Sequence, residues 1–140
     1  MKRITAIAVC FLASLAAAGT ASAQDHQTKA KIPFDFYVGN TWLPAGTYTM
    51  SSDAGKSDIV KINSADNRNY VVSLGLASET RAGSGELVFH KIGDQYFLHE
   101  ILCSTGHMNV QLPTSRWEER AETREASVAP VSNVTLALLQ

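Results

Sequence analysis

Cysteine is almost missing from this 140-residue chain, which has two, Cys10 and Cys103. Cys10 lies in the apolar leader described below, so the mature part keeps one thiol, and one thiol excludes an internal disulfide framework. The flank Ile101-Leu102-Cys103 is apolar, which fits a buried thiol acting as a small hydrophobe. An intermolecular disulfide through Cys103 is the alternative in an oxidising compartment. The chain also has no excess of positive charge, with 12 basic against 13 acidic residues. This weighs against nucleic acid as a partner, because binding that polymer requires a basic surface that displaces counterions. Equally absent are a HExxH helix, a phosphate loop, a nucleophile elbow and a carboxylate pair with a reason to converge. The chain therefore reads as non-enzymatic, with no cofactor called for. Gly83-Ser84-Gly85 lacks the strand-to-helix context of a nucleophile elbow and reads as a flexible turn.

What the chain does have begins at its N-terminus. Lys2 and Arg3 lead into an apolar run from Ile4 to Ala18, and Ala21-Ser22-Ala23 supplies the small-residue pattern that signal peptidase accepts. The run is short for a membrane span and has no charged stop-transfer flank. Cys10 sits inside it and makes a poor acylation site. Residues 1–23 are thus expected to be a signal peptide of bacterial, alanine-rich character, cleaved near Ala23. The product would be periplasmic or extracellular, with no integral membrane span in the mature chain. Losing Lys2 and Arg3 leaves a net charge of about −3, that of an ordinary soluble surface. A single domain of this size buries enough surface to fold without metal or disulfide staples.

The polar stretch 24–31 reads as a flexible leader to one β-domain over 32–140. Ile32, Phe34, Phe36 and Val38 alternate with Pro33, Asp35 and Tyr37, the period of a half-buried strand. Gly39-Asn40 offers a turn, and Trp42 to Ser51 reads as a strand bent at Leu43-Pro44-Ala45-Gly46. Ile59 to Ile62 is a short strand, and the turn formers of Asn63 to Asn69 lead into Tyr70, Val72, Leu74 and Leu76. These alternate with smaller residues, so the large side chains are expected to face inward. Leu87 to Ile92 and Gln95 to Leu102 flank Gly93-Asp94, a hairpin with glycine first as a type II′ turn requires. Continuous pairing from that turn places Val88, His90, Ile92, Phe97, His99 and Ile101 on one face. Ser115 with Glu118 forms a capping box for a helix over about 115–126, expected to dock through Trp117 and Ala121. The apolar segment about 133–139 reads as a last strand. These elements predict an all-β fold: a small antiparallel β-sandwich or partly open barrel of about seven or eight strands with one C-terminal surface helix.

Three groups of residues carry candidate chemistry. His90 and His99 share a face of the hairpin as diagonal neighbours, about 7–8 Å apart between α-carbons, and could share a metal ion. Zinc generally needs three or four protein ligands, and His26, His107 and Cys103 have no diagnostic spacing, so strand histidines are the plainer reading. Phe36, Trp42, Tyr48 and Phe97 could line a ligand cavity if the sheet closes, although small barrels are usually filled by such side chains. Arg116, Arg120 and Arg124 recur every fourth residue, but interleaved glutamates make the helix face one of mixed charge. Asn133-Val134-Thr135 matches a glycosylation sequon inside an expected strand and is set aside with the bacterial leader.

Three stretches, taken in order, resemble a family of short exported bacterial proteins without an assigned biochemical function. They are Ile32-Pro33-Phe34-Asp35-Phe36-Tyr37-Val38-Gly39, Leu43-Pro44-Ala45-Gly46-Thr47-Tyr48 and Leu87-Val88-Phe89-His90-Lys91-Ile92-Gly93-Asp94-Gln95-Tyr96-Phe97-Leu98. The resemblance spans nearly all of the mature chain. It implies a small exported β-domain and carries no catalytic residue, though His90 falls within a matching stretch. The functional expectation is an exported non-enzymatic structural or binding module, an envelope component or a self-associating one. A small-ligand carrier with an aromatic-lined barrel cavity is the first alternative, and a metal-binding protein using His90 and His99 is the second.

Overall fold

The structure, a computed structural model, describes residues 26–53, 56–79, 85–103, 108–126 and 130–139. The expected leader, with Cys10 and the cleavage expected near Ala23, lies outside them, as does His107. Among the described residues, eleven strands and one helix follow in order: β1 (His26–Ile32), β2 (Phe36–Val38), β3 (Thr41–Leu43), β4 (Gly46–Asp53), β5 (Lys56–Ser64), β6 (Tyr70–Leu74), β7 (Leu76–Ala77), β8 (Glu86–Ile92), β9 (Gln95–Cys103), β10 (Met108–Gln111), α1 (Arg116–Glu125) and β11 (Ser132–Ala137).

One sheet has the order β1-β4-β5-β6, and the other β11-β8-β9-β10-β7, with β2 alongside β9 and β3 alongside β2. The sheets meet along two seams. At one, the strand Tyr70 to Ala77 leaves the first sheet as β6 and enters the second as β7, which pairs with β10. At the other, the amide of Leu139 donates to the Lys29 carbonyl at 2.7 Å, bringing the chain's last described residues onto β1. The result is a curled, partly closed barrel with one helix near its C-terminus.

The stretch expected to be a flexible leader contains a strand instead. Thr28, Ala30 and Ile32 are buried while Gln27, Lys29 and Lys31 are exposed, so β1 has the period-two pattern in small and polar residues. It pairs with β4 along its whole length, from His26 opposite Ser52 to Ile32 opposite Gly46. The expected strand through Phe34 and Phe36 begins only at Phe36, after a corner. There Asp35 accepts a hydrogen bond from the Ala45 amide at 2.8 Å, and the Tyr48 hydroxyl donates to the Pro44 carbonyl at 2.7 Å.

The core lies between the two sheets. Phe36 packs edge-on against both Tyr48 and Phe89, with centroids 5.2 and 5.6 Å apart. Met50, Ile62, Leu87, Ile101 and Val110 complete the same cluster. Each large apolar side chain removed from water here contributes roughly 1.5–3 kcal/mol.

The orientation of β6 is opposite to that expected. Val71 and Gly75 face inward, whereas Tyr70, Val72, Leu74 and Leu76 are 52–66% exposed. The cause is the approach of the sheets at their corner: a Cβ on Gly75 would lie 3.1 Å from Val110 Cβ and 3.2 Å from Val60 Cγ2. Only the small-residue face fits there, so the large residues turn outward.

Candidate functional site

The site is built on the β8–β9 hairpin. Gly93 adopts φ +59°, the left-handed backbone that the first residue of the tight turn requires. From that turn the register runs as expected, with Ile92 opposite Gln95, His90 opposite Phe97 and Phe89 opposite Leu98. It then shifts by one, so that Val88 faces Glu100 and Leu87 faces Ile101. His99 is the extra residue of this β-bulge. The bulge moves Ile101 to the core face beside Leu87, away from the histidines, which corrects the uninterrupted pairing expected from the sequence.

The outer face of the hairpin lies beneath α1. Ser115 caps the helix by accepting from the Glu118 amide at 3.2 Å, satisfying one of the free N–H groups of the first turn. The face α1 presents includes Ala121, as expected, but not Trp117. Trp117 is 49% exposed, with Arg120 over its ring at 6.0 Å, while Glu118 and Ala121, three residues apart, are buried. Ala121 joins Ile92, Phe97 and Tyr37 in a small apolar cluster. Glu118 reaches the hairpin with its side chain and accepts at Oε1 from His90 Nδ1 at 2.7 Å. The rotation of α1 thus follows from one buried carboxylate finding an imidazole.

His90 and His99 do share a face, and closely. Their rings stack with centroids 3.7 Å apart at an interplanar angle of 23°. The Gln111 side chain approaches His99 Nε2 at 3.2 Å, and the Leu112 amide donates to the His99 carbonyl at 2.7 Å, so the end of β10 fixes the bulge. Among the described residues, His99 Nδ1 is buried with no hydrogen-bond partner. Burial holds the His99 imidazole below its usual range, and the neighbouring His90 acts in the same direction. Glu100 and Glu118 oppose the shift more weakly. One donor atom each from His90, His99 and Glu118 lies within 4.8 Å of the others. A neutral imidazole, a second imidazole and a carboxylate so placed can share a proton or hold a cation.

The other sequence candidates do not converge. Phe36 and Tyr48 are packed in the core, Phe97 stacks on Tyr37 at 5.1 Å in the cluster under α1, and Trp42 is exposed. They do not line one space. A cleft of about 220 Å³ does open beside Pro44, Tyr48, Ser64, Asp66 and Asn69, but its polar groups serve one another. Asp66 accepts from the Ser64 hydroxyl and the Arg68 amide, and the Asn69 amide donates to Ser64 Oγ. Cys103 is 5% exposed and faces the core. His26 lies on β1, in the other sheet.

Sequence reasoning missed Glu118 and Gln111. Glu118 was read as a capping-box residue, and its spacing of three from Ala121 was the only local signal that it shares the docked face. No local pattern links Gln111 to His99. Comparison with known proteins adds nothing to this geometry: no family model, no curated protein and no solved structure matches the chain.

Proposed function

We propose that this chain is an exported, non-enzymatic binding module whose binding site is the recess formed by His90, His99 and Glu118 between the hairpin and α1. The observation that carries this reading is the convergence of three donor groups in which one buried nitrogen, His99 Nδ1, has no partner among the described residues. Unsatisfied buried polar atoms cost stability and are uncommon without a reason. The packing of Phe36 and Tyr48 against each other in the core supports a site on the outer face of the second sheet. The leader sequence supports export. Native mass spectrometry of the chain expressed with its leader and recovered from the periplasm tests both parts. A mass beginning at Gln24 with an adduct lost in His99→Phe is expected. A bare mass, together with a melting temperature unmoved by any ligand class tested, would sink the reading.

A second, structural reading rests on β6. It ends its sheet and carries the exposed residues Tyr70, Val72 and Leu74, and an apolar strand at a sheet edge is a template for pairing with another chain. Under this reading two copies join edge to edge. Sedimentation should give a dimer that Leu74→Lys converts to monomer, and a monomeric wild type at high concentration would rule it out.

A further inference from the structure

We infer that the recess takes one divalent transition-metal ion of the zinc class, held by His90 and His99 from the hairpin and by Glu118 from α1. This rests on the preceding reading that the recess is the binding site, and it names the ligand.

The donor set selects the ion. Two imidazoles and one carboxylate suit zinc, nickel or copper(II). Calcium and magnesium ask for oxygen ligands, six or more around calcium, and the recess offers one carboxylate. The spacing is also close to what is required. Bonds of about 2.0–2.2 Å in a tetrahedral arrangement put ligand atoms about 3.4 Å apart. The present limit of 4.8 Å therefore needs to contract by about 1.4 Å, and because an imidazole lone pair lies in the plane of its ring, one of the two stacked rings has to turn out of the stack to reach the ion. The pair His90 Nδ1 and Glu118 Oε1, at 2.7 Å, needs to open instead. The ion takes the place of the hydrogen between those two atoms, so His90 binds as the neutral tautomer that ligates through Nδ1 and keeps its ring proton on Nε2.

The bulge gives the argument its asymmetry. The hydrogen bond between His90 and Glu118 accounts for those two residues without any metal. It does not account for His99, whose ring is held by Gln111 on one nitrogen and has no partner on the other. Turning the Gln111 amide by 180° places its oxygen against Nε2, which then carries the ring proton and donates it. Nδ1 is left with a free lone pair, as in metal-bound histidines whose second nitrogen donates to an outer partner. Three protein ligands leave a fourth position for water.

Calorimetric titration of the metal-stripped mature chain with zinc chloride, then magnesium chloride, tests the inference. One equivalent of zinc with micromolar or tighter affinity and no magnesium uptake is expected. His99→Phe, which keeps an aromatic ring in the stack, and Glu118→Gln, which keeps a hydrogen-bonding group beside His90, should each weaken zinc at least tenfold. As a check that needs no variant, ring-nitrogen NMR of the wild type should show His90 and His99 shifting together at one equivalent while His26 does not. Zinc uptake that leaves His90 and His99 unshifted, or no uptake at millimolar zinc, overturns the inference. If zinc fails but a periplasmic adduct is still lost in His99→Phe, the binding module stands and only its ligand is wrong. If neither zinc nor any adduct depends on these residues, both fall.

Discussion

Glu118 Oε1 and His90 Nδ1 lie 2.7 Å apart, joining the first turn of a helix to the middle of a strand 28 residues earlier in the chain. Both side chains are largely withdrawn from water, at 5% and 18% exposure. A carboxyl group so buried depends on its partner.

His90→Ala should be the most damaging single change on the hairpin's outer face. It leaves the Glu118 carboxyl buried without its hydrogen-bond partner, a loss of about 1–3 kcal/mol. Replacing both residues together, as His90→Leu with Glu118→Met, should recover much of that loss, because no buried polar group is then left unpaired. Urea unfolding of the two variants measures the difference.

His99 gives the metal-free protein an acid sensitivity. Its folded imidazole is held below its usual range by burial, so near and below pH 6.5 the unfolded chain binds a proton that the folded chain refuses. Stability is therefore full above about pH 6.5 and falls as the pH drops from there toward the folded value. Unfolding midpoints measured in chelator from pH 8 to 5 should fall less in His99→Phe than in wild type. Parallel curves would contradict the assigned burial.

Tyr48 acts at the other end of the scale. Burial, helped by the nearby Asp66 and Asp35 carboxylates, raises its phenol above the usual range. Its stabilising effect is complete below pH 10 and is lost as the pH rises beyond that toward the raised value. Tyr48→Phe removes the hydrogen bond to the Pro44 carbonyl, which should cost about 0.5–1.5 kcal/mol at neutral pH. The gap to wild type should narrow on alkaline titration.

Gly75→Ala places a methyl group against Val110 and Val60 at 3.1–3.3 Å. Both neighbours are β-branched and stiff and are themselves buried in the core. Overpacking of this kind costs about 1–3 kcal/mol, so the variant should melt well below wild type. A neutral result would mean that the corner of the barrel can widen.

Much of the architecture was legible because its signals are local. Gly93-Asp94 between two apolar runs marks the β8–β9 hairpin, and Ser115 marks the start of α1 within a residue. What escaped depends on distant neighbours. β1 was hidden because its inward residues include Thr28 and Ala30, which raise no hydrophobic signal until β4 lies beside them. The face of β6 was misjudged because large residues normally turn inward, and only the closeness of Val60 and Val110 to Gly75 reverses that choice. At the site, the pairing of His90 with His99 survived a register shift that no residue type announces, since two residues still project to the same side across the bulge. Glu118 could not be found without the helix's rotation.

The bridge between Lys29 and Leu139 sets an order of events. The seam on that side joins the first strand to the segment at Leu139, so it cannot form before that segment has been made. Until then β1 can pair with β4, but its outer edge stays open. Closure of the barrel therefore waits for Leu139, however early β1 and β4 have paired.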